Sequence, residues 1–163
     1  MRTTAGLLLL SVLAAGCAHT GPRPAAVAPA GTASTPDAAD RLFGERMNAG
    51  DLDGLVALYE KGATLIRPDG TPATGHDAIR AELGGILAAK PRIVMNVRTI
   101  RQGGNNVALL YNDFHVTATE PGGKTVQING CATEVVRRQP DGRWLFVIDD
   151  PNGRRCPAPA APR

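Results

Sequence analysis

The second half of the chain is a series of apolar or alternating segments separated by glycine-rich turns, and this pattern limits the possible folds more than any other feature. The turns read Gly-Gly-Asn-Asn, Pro-Gly-Gly-Lys and Pro-Asp-Gly. Turns of this length and composition connect the antiparallel strands of hairpins. The pattern therefore predicts a four-stranded antiparallel meander, with strands over 92–102, 107–119, 125–138 and 144–149.

The first half of the chain has helical spacing instead of alternation. Thr35 followed by Pro36 is typical of an N-cap and a proline at the first helical position. A second helix is predicted after Asp51, with Tyr59 on its apolar face, and a third begins after Gly75. Helices first and a meander afterwards predict an α+β fold, with the helices on one face of an antiparallel sheet.

The amino-terminal leader indicates where the chain is sent. Arg2 supplies a positive charge, a run of four leucines forms an apolar core, and small residues precede Cys17, as in a secretory signal peptide. The apolar run is too short for a permanent membrane helix. The cysteine directly after Ala-Ala-Gly resembles a bacterial lipoprotein box, which implies removal of residues 1–16 and acylation of Cys17, with palmitate in the lipid anchor. A plain signal peptide with a chance cysteine is the alternative.

The resemblance to lipoproteins also implies a location. Ala18, rather than an aspartate, follows the cysteine, and in Gram-negative sorting this implies the periplasmic face of the outer membrane. Residues 17–36 are rich in proline, alanine, glycine and threonine, so we expect a flexible tether there. Residues 153–163 have the same character and predict a flexible tail. The folded domain is therefore predicted over 37–152.

Charge and cysteine content exclude several classes of partner. A formal net charge of +3, with no basic cluster interleaved with aromatic residues, does not predict nucleic-acid binding. If Cys17 carries lipid, Cys131 and Cys156 remain, and such a pair in an oxidising compartment favours a disulfide. A buried Cys131 with a free Cys156 is the alternative. The three histidines are scattered and no C-x-x-C occurs, so we expect no metal site and no other cofactor.

Short motifs follow one another in a characteristic order along the predicted domain. They are Met47-Asn48-Ala49-Gly50-Asp51, Leu55, Leu58-Tyr59, Gly62-Ala63-Thr64, Pro68-Asp69-Gly70, Gly75, Ala78-Ile79-Arg80, Thr133-Glu134-Val135 and Asp141-Gly142-Arg143-Trp144. Their order and spacing resembles the nuclear transport factor 2-like superfamily, in its SnoaL-like and ketosteroid-isomerase-like branch. The resemblance implies a cone, in which a curved antiparallel sheet wraps around the helices and leaves an apolar pocket. It does not fix a function, because this fold carries isomerases, cyclases, epoxide hydrolases and non-catalytic binding modules.

Two positions depart from the enzymes of this branch. Phe43 stands where the ketosteroid isomerases have the tyrosine that donates to the oxyanion, and Arg67 stands where they have the aspartate base. A guanidinium is always charged and cannot act as a base, so steroid-type isomerisation is not predicted. The epoxide-hydrolase-like arginine is missing from 111–113, although Asp149 and Asp150 lie near the place of that group's late aspartate.

Counting residues outward from each hairpin turn predicts which residues pair across the strands and therefore share a face of the sheet. A register that pairs Val135 with Phe146, and Phe114 with Asn129, creates an aromatic-rich face with a few polar groups, as a small-molecule pocket requires. Asp150 is the only carboxylate on that face. The predicted pocket residues are Tyr59, Arg67, Asn112, Phe114, Asn129, Trp144 and Phe146. A slip of one residue would exchange the two faces.

Two functions remain open. The first is a non-catalytic module, whose pocket binds a small apolar or amphipathic ligand or which docks another envelope protein. The second is an acid–base enzyme, an isomerase, cyclase or hydrolase, with Asp150 as the acid or base and Asn112 and Asn129 as donors. Structural roles are the alternatives for these residues. Asp150 could be a turn residue, Asn112 and Asn129 could be paired amides that hold the sheet, and Arg67 could form a surface ion pair.

A homodimer is expected through apolar residues of the opposite sheet face: Leu109, Tyr111, Val136, Leu145 and Val147.

Overall fold

The computed structural model describes residues 30–119 and 122–156. The leader, the lipidation site at Cys17 and most of the predicted tether lie outside the described residues. The helices are α1 (Pro36–Ala49), α2 (Leu52–Val56) and α3 (His76–Ala88), and the strands are β1 (Tyr59–Ile66), β2 (Pro72–Thr74), β3 (Arg92–Gly103), β4 (Val107–Thr119), β5 (Thr125–Arg138) and β6 (Trp144–Asp150). Within the described residues, no helix has the length and apolarity needed to cross a membrane.

The six strands form one curved, unclosed sheet in the order β2-β1-β6-β5-β4-β3. The predicted meander of β3 to β6 is confirmed, and its strand bounds agree with the sequence pattern to within one residue. The sheet is mixed rather than wholly antiparallel, because β1 runs parallel to β6. The α+β class is confirmed, with the helices on the concave face of the sheet.

Helix α1 begins and ends at the predicted signals. Thr35 is the N-cap and Pro36 the first helical residue. At the other end, Gly50 adopts φ 73°, and its N–H donates to the carbonyls of Arg46 and Met47. A positive φ suits glycine because it has no Cβ to clash with the backbone. The local sequence therefore determines both ends of the helix that packs across the sheet.

The predicted second helix is too long. Asp51 caps α2 by accepting a 2.8 Å bond from the N–H of Gly54, but the helix ends at Val56. Tyr59 opens strand β1 and pairs with Phe146 of β6. Pairing with a distant strand overrides the helical spacing of this segment, since propensity alone sets only a weak preference.

The predicted register of β5 is wrong by one residue at Phe114 and at Phe146, and the predicted register of the end of β6 is wrong by two. Phe114 pairs with Gly130, not with Asn129. Val136 pairs with Phe146. Beyond this pair, Val135 lies opposite Ile148, so that Val147 forms a β-bulge. A bulge adds a residue without a partner and shifts all later side chains to the other face.

The core lies between the concave face of the sheet and the three helices. Its largest fully buried side chains are Tyr59, Phe146, Leu55, Leu58, Ile79, Leu83, Leu110, Val136, Asn112 and Asp40. The Phe43 ring meets the Phe146 ring edge-on, with centroids 6.2 Å apart. Phe114 lies so close over Gly130 that a Cβ there would fall 1.9 Å from the ring. Two polar residues, Asn112 and Asp40, are among these largest fully buried side chains.

Candidate functional site

Four polar side chains are buried in the core, each from a different element. They are Asp40 of α1, Asn112 of β4, Glu134 of β5 and Asp149 of β6, with exposed fractions of 0%, 0%, 2% and 6%. Carboxylates are rarely buried unless they are paired. We call these four residues and Tyr59 the acid cluster.

Asn112 connects two of the acids. Its Nδ2 donates to Asp40 Oδ2 at 3.2 Å and to Glu134 Oε1 at 2.5 Å. Three oxygens of the same groups have no partner within the described residues, namely Asp40 Oδ1, Asn112 Oδ1 and Glu134 Oε2. An amide oxygen can only accept, so the cluster contains more acceptors than donors when its acids are ionised.

Asp149 is held by a tyrosine. Tyr59 Oη donates to Asp149 Oδ2 at 2.5 Å, and both side chains are buried. Burial raises the pKa of Tyr59 well above its usual value, and the neighbouring carboxylate of Asp149 raises it further. The tyrosine therefore stays protonated and serves as a donor to the acid.

Burial makes the three acids weaker. Desolvation raises the pKa of Asp40 from 3.8 to about 7; the Asn112 bond opposes this shift, and the charges of Asp149 and Asp37 add to it. Desolvation raises the pKa of Asp149 to about 6 against the Tyr59 bond. Desolvation, followed by the charge of Asp40, raises the pKa of Glu134 well above its usual value. The acid cluster therefore retains protons near neutral pH.

A cleft opens between α1 and the edge strand β3. Its volume is about 370 Å³, which lies toward the small end of the range for ligand sites. The lining residues are Asp37, Asp40, Arg41, Gly44, Glu45, Ile93, Met95 and Val97. Asp40 thus belongs both to the acid cluster and to the wall of this α1–β3 cleft.

Asp150, the predicted catalytic acid, lies elsewhere. It pairs with Thr133 on the convex side of the sheet, and its Oδ1 accepts a 3.0 Å bond from the N–H of Asn152. Because of the bulge at Val147, Asp149 faces the core and Asp150 faces the other side of the sheet, which is the reverse of the prediction. The placement of Asp150 on the pocket face is therefore wrong, and its contacts are those of a turn residue.

The other predicted pocket residues divide into two groups. Tyr59 and Asn112 belong to the acid cluster, and the aromatic side chains Phe114, Trp144 and Phe146 lie in or against the same core.

Arg67 and Asn129 are remote from this core. Arg67 donates to Glu82 at 3.0 Å and to the carbonyl of Pro72 at 2.8 Å, on the surface between β1 and α3. Asn129 is exposed on the convex face, with its Oδ1 2.7 Å from His115 Nδ1. The one-residue error in the β5 register explains the misplacement of Asn129.

Cys131 and Cys156 form a disulfide with their Cα atoms 5.2 Å apart. Within the tail that begins at residue 153, the described part is therefore attached to the sheet. Arg154 lies on the convex face, where it donates to the carbonyl of Asn112 at 3.1 Å and to the Asp113 carboxylate. The guanidinium also lies 5.6 Å from the centroid of the Tyr111 ring. The disulfide thus holds a cation against the back of the strand that carries Asn112.

Two functional candidates, Asp40 and Glu134, were not found from the sequence, and Asp149 was noted only for its place near the late aspartate of the epoxide-hydrolase-like group. One signal was present for Asp40, since it lies three residues before Phe43 and so shares the apolar face of α1. A carboxylate in an apolar stripe is an unusual position. Glu134 carried no such signal, and the sequence did not predict that Asp149 faces the core, because the β5 register and the bulge decide these faces.

The acid cluster is suited to proton exchange and hydrogen bonding. Within 30–119 and 122–156, no group of three or more His, Cys, Asp or Glu side chains is placed to hold a metal ion. A buried acid with a pKa near 7 can take up or release a proton at neutral pH. Asp40 combines this property with a position in the cleft wall.

Comparison with solved structures defines the class of fold. The chain is similar to a ketosteroid isomerase-like protein from Erwinia carotovora atroseptica, with a TM-score of 0.64, 16% identity, and coverage of 70% of this chain and 89% of that chain. It is similar to an NTF-2 like protein of unknown function from Shewanella oneidensis, with a TM-score of 0.58, 20% identity, and coverage of 69% and 91%. A domain with a cystatin-like fold from Nostoc punctiforme gives a TM-score of 0.61, 21% identity, and coverage of 73% and 75%. These likenesses establish an NTF2-like, cystatin-like fold.

The family follows from the sequence itself. A family model described as a SnoaL-like domain matches residues 39–147, so the chain belongs to the SnoaL-like family. No curated protein sequence matches the chain. The family contains both enzymes and non-catalytic binders, so the function has to be argued from the acid cluster and the cleft.

Proposed function

We propose that this SnoaL-like domain binds a small molecule in the α1–β3 cleft, with Asp40 as the polar contact. The observation that carries the proposal is an acid in the wall of a cleft of about 370 Å³, with an oxygen that has no partner within the described residues and that a shift of the cleft wall would have to uncover. The apolar side chains of Ile93, Met95 and Val97 line the same cleft. Small-molecule sites combine an apolar lining with a few such polar groups.

The cost of the buried acid supports a functional role. A buried charge is expensive, and replacing such a group by a well-packed neutral one is often neutral or stabilising. Among the described residues, the Asp40 side chain accepts a single hydrogen bond, at 3.2 Å from Asn112 Nδ2, which offsets little of its desolvation cost. Its role in binding would explain why an aspartate occupies the apolar face of α1.

The test is a fragment screen observed at the cleft. Methyl NMR spectra of the purified chain, labelled at isoleucine, methionine and valine, should show saturable shifts at Ile93, Met95 and Val97 with at least one fragment. A cleft-filling variant, Gly44→Leu, should abolish those shifts, because a Cβ at Gly44 already meets Met95 Sδ at 3.5 Å. The matched control is Gly85→Leu, a glycine of α3 whose Cβ would meet nothing within 4 Å. Equal binding by Gly44→Leu, or no cleft shift with any fragment, would contradict the proposal.

Acid–base catalysis is the second candidate, with Asp40 in place of the predicted Asp150. The specific observation is the pKa of about 7 for Asp40, because a general acid or base works best when its pKa is near the working pH. Once a substrate has been identified, Asp40→Asn should lower its turnover by roughly two to four orders of magnitude. Asp150→Asn should leave turnover unchanged, since Asp150 lies in a turn on the convex face.

We further propose that the mature chain begins at lipidated Cys17 and lies on the periplasmic face of the outer membrane. The leader and the composition of residues 17–36 support this proposal.

A homodimer through the convex face is also proposed, with a revised contact surface. Leu109, Val135 and Ile148 are adjacent on β4, β5 and β6, and Ile148 is 44% exposed. Val136 does not belong to this surface, because it is buried on the concave side.

A further inference from the structure

The charges around the α1–β3 cleft are mostly negative. Asp37, Asp40 and Glu45 of α1 all line it, whereas Arg41 is the single basic residue among the described residues of the lining. Glu45 and Arg41 are exposed, and Asp37 is half-buried. The rim therefore attracts cations more than anions.

Within the residues that the structure describes, the titratable neighbours of the Asp40 carboxylate are acidic. The charged or titratable groups around it are Asp37 on its own helix, Glu134 on β5, Asp149 on β6 and Tyr59 on β1. All of them are acids. In the described part of the chain, no Lys, Arg or His side chain forms an ion pair with Asp40, and Oδ1 has no donor. A carboxylate without a surface to water or a cationic partner is the costliest state of this group.

Resting on the proposed binding function, we propose that the ligand of the α1–β3 cleft is a small amphipathic cation. Its amine head would donate to Asp40 Oδ1, which has no exposed surface in this structure and would be uncovered by a shift of the cleft wall on binding. A short apolar chain would lie against Ile93, Met95 and Val97. The acidic rim would draw the amine toward the cleft, and a charge-assisted bond to Asp40 would supply the missing donor. A volume of about 370 Å³ suits a single short chain and excludes a two-chain lipid.

Binding of a cation has a proton balance that can be measured. The amine remains an ammonium, because alkyl amines resemble lysine, with a pKa of about 10. The Asp40 carboxyl loses its proton to the buffer and becomes the carboxylate that faces the ammonium. Each bound amine should therefore release a proton where Asp40 is protonated in the free protein, and its affinity should increase with pH up to and beyond neutral.

The experiment compares three probes with one chain length, octylamine, octanol and octanoate, on the purified chain. At pH 8.5, octylamine should bind about tenfold to a hundredfold more tightly than octanol, the range for a hydrogen bond to a charged group. At pH 5.5 this preference should shrink by at least about fivefold. Calorimetry at pH 6 in buffers with different ionisation heats should report about one proton released per octylamine.

Variants assign the preference to Asp40. In Asp40→Asn, octylamine should bind no more tightly than octanol, whereas Asp77→Asn, an exposed acid of α3 outside the cleft, should behave like the unchanged chain. Equal binding of octylamine and octanol at pH 8.5, or tighter binding of octanoate, overturns the cation while leaving a small-molecule site at the cleft. If no probe shifts the methyl resonances of the cleft, both the cation inference and the proposed small-molecule site are contradicted. If Asp40→Asn does not fold, the proton release decides alone, and its absence overturns the inference.

Discussion

The acid cluster should make the domain less stable as the pH rises from 6 to 8, which is the reverse of ordinary salt-bridged carboxylates. In the unfolded chain Asp40 has the usual pKa of 3.8 and is ionised throughout this range, whereas in the folded chain its pKa is about 7. Near pH 6 the folded state therefore binds one more proton than the unfolded state. The stability that this proton contributes is lost as the pH rises through 7. Integration of this difference from pH 6 to 8 gives a loss of about 1 kcal/mol from Asp40 alone.

The other acids act in the same direction. Asp149, with a pKa of about 6, should add a few tenths of a kcal/mol over the same interval. Glu134, whose pKa is raised well above its usual value, also favours the protonated folded state. A loss of about 1 kcal/mol corresponds to roughly 4 °C in Tm for a domain of this size.

Urea unfolding at pH 6 and pH 8, followed by the fluorescence of Trp144, measures the loss directly. Trp144 is the single tryptophan and is 5% exposed. Asp40→Asn should remove Asp40's share of the pH dependence, because the amide is neutral at both pH values and its oxygen can still accept from Asn112. Asp77→Asn should retain the full loss. Stability that is equal or higher at pH 8 in the unchanged chain, or an unaltered loss in Asp40→Asn, would refute the reasoning.

Three further outcomes are expected. Gly130→Ala should destabilise the domain by about 1–3 kcal/mol, the range for overpacking, because its Cβ would overlap the Phe114 ring; an unchanged urea midpoint would contradict this contact. Cys131→Ser should lower the free energy of unfolding by about 3 kcal/mol, because the disulfide to Cys156 closes a loop with a sequence separation of 25; thiol counting without reduction should find neither cysteine reactive in the unchanged chain, and two reactive thiols would reject the bridge. Cys17→Ser should give an unprocessed or soluble product, measured by fractionation, and unchanged recovery with membranes would disprove the lipid anchor.

Local signals in the sequence were sufficient for most of the fold. Thr35, Pro36 and Gly50 determine the ends of α1 through their own backbone preferences. The glycine-rich turns define the meander, because a hairpin turn connects strands that are adjacent in sequence. The parallel pairing of β1 with β6 joins residues 84 to 87 positions apart, and no local pattern encodes it. For the same reason, Tyr59 was expected on a helix.

The candidate site depended on features that are not local. Asp149 and Asp150 are adjacent, and only the bulge at Val147 decides which of them faces the core. The register of β5 decides in the same way between Glu134 and its neighbours. Period-two patterns are sensitive to one extra residue, whereas the helical spacing of α1 places Asp40 on the apolar face without any knowledge of the sheet.

The buried acids differ in how well the fold satisfies them, and this difference singles out Asp40. Asp149 accepts a 2.5 Å bond from Tyr59, and Glu134 accepts a 2.5 Å bond from Asn112. Asp40 receives a 3.2 Å bond from the same amide. In a low-dielectric interior, the group with the weakest partners gains most from a new donor. That group is also the acid in the wall of the α1–β3 cleft, and for this reason the proposed ligand contact is assigned to Asp40 rather than to Glu134 or Asp149.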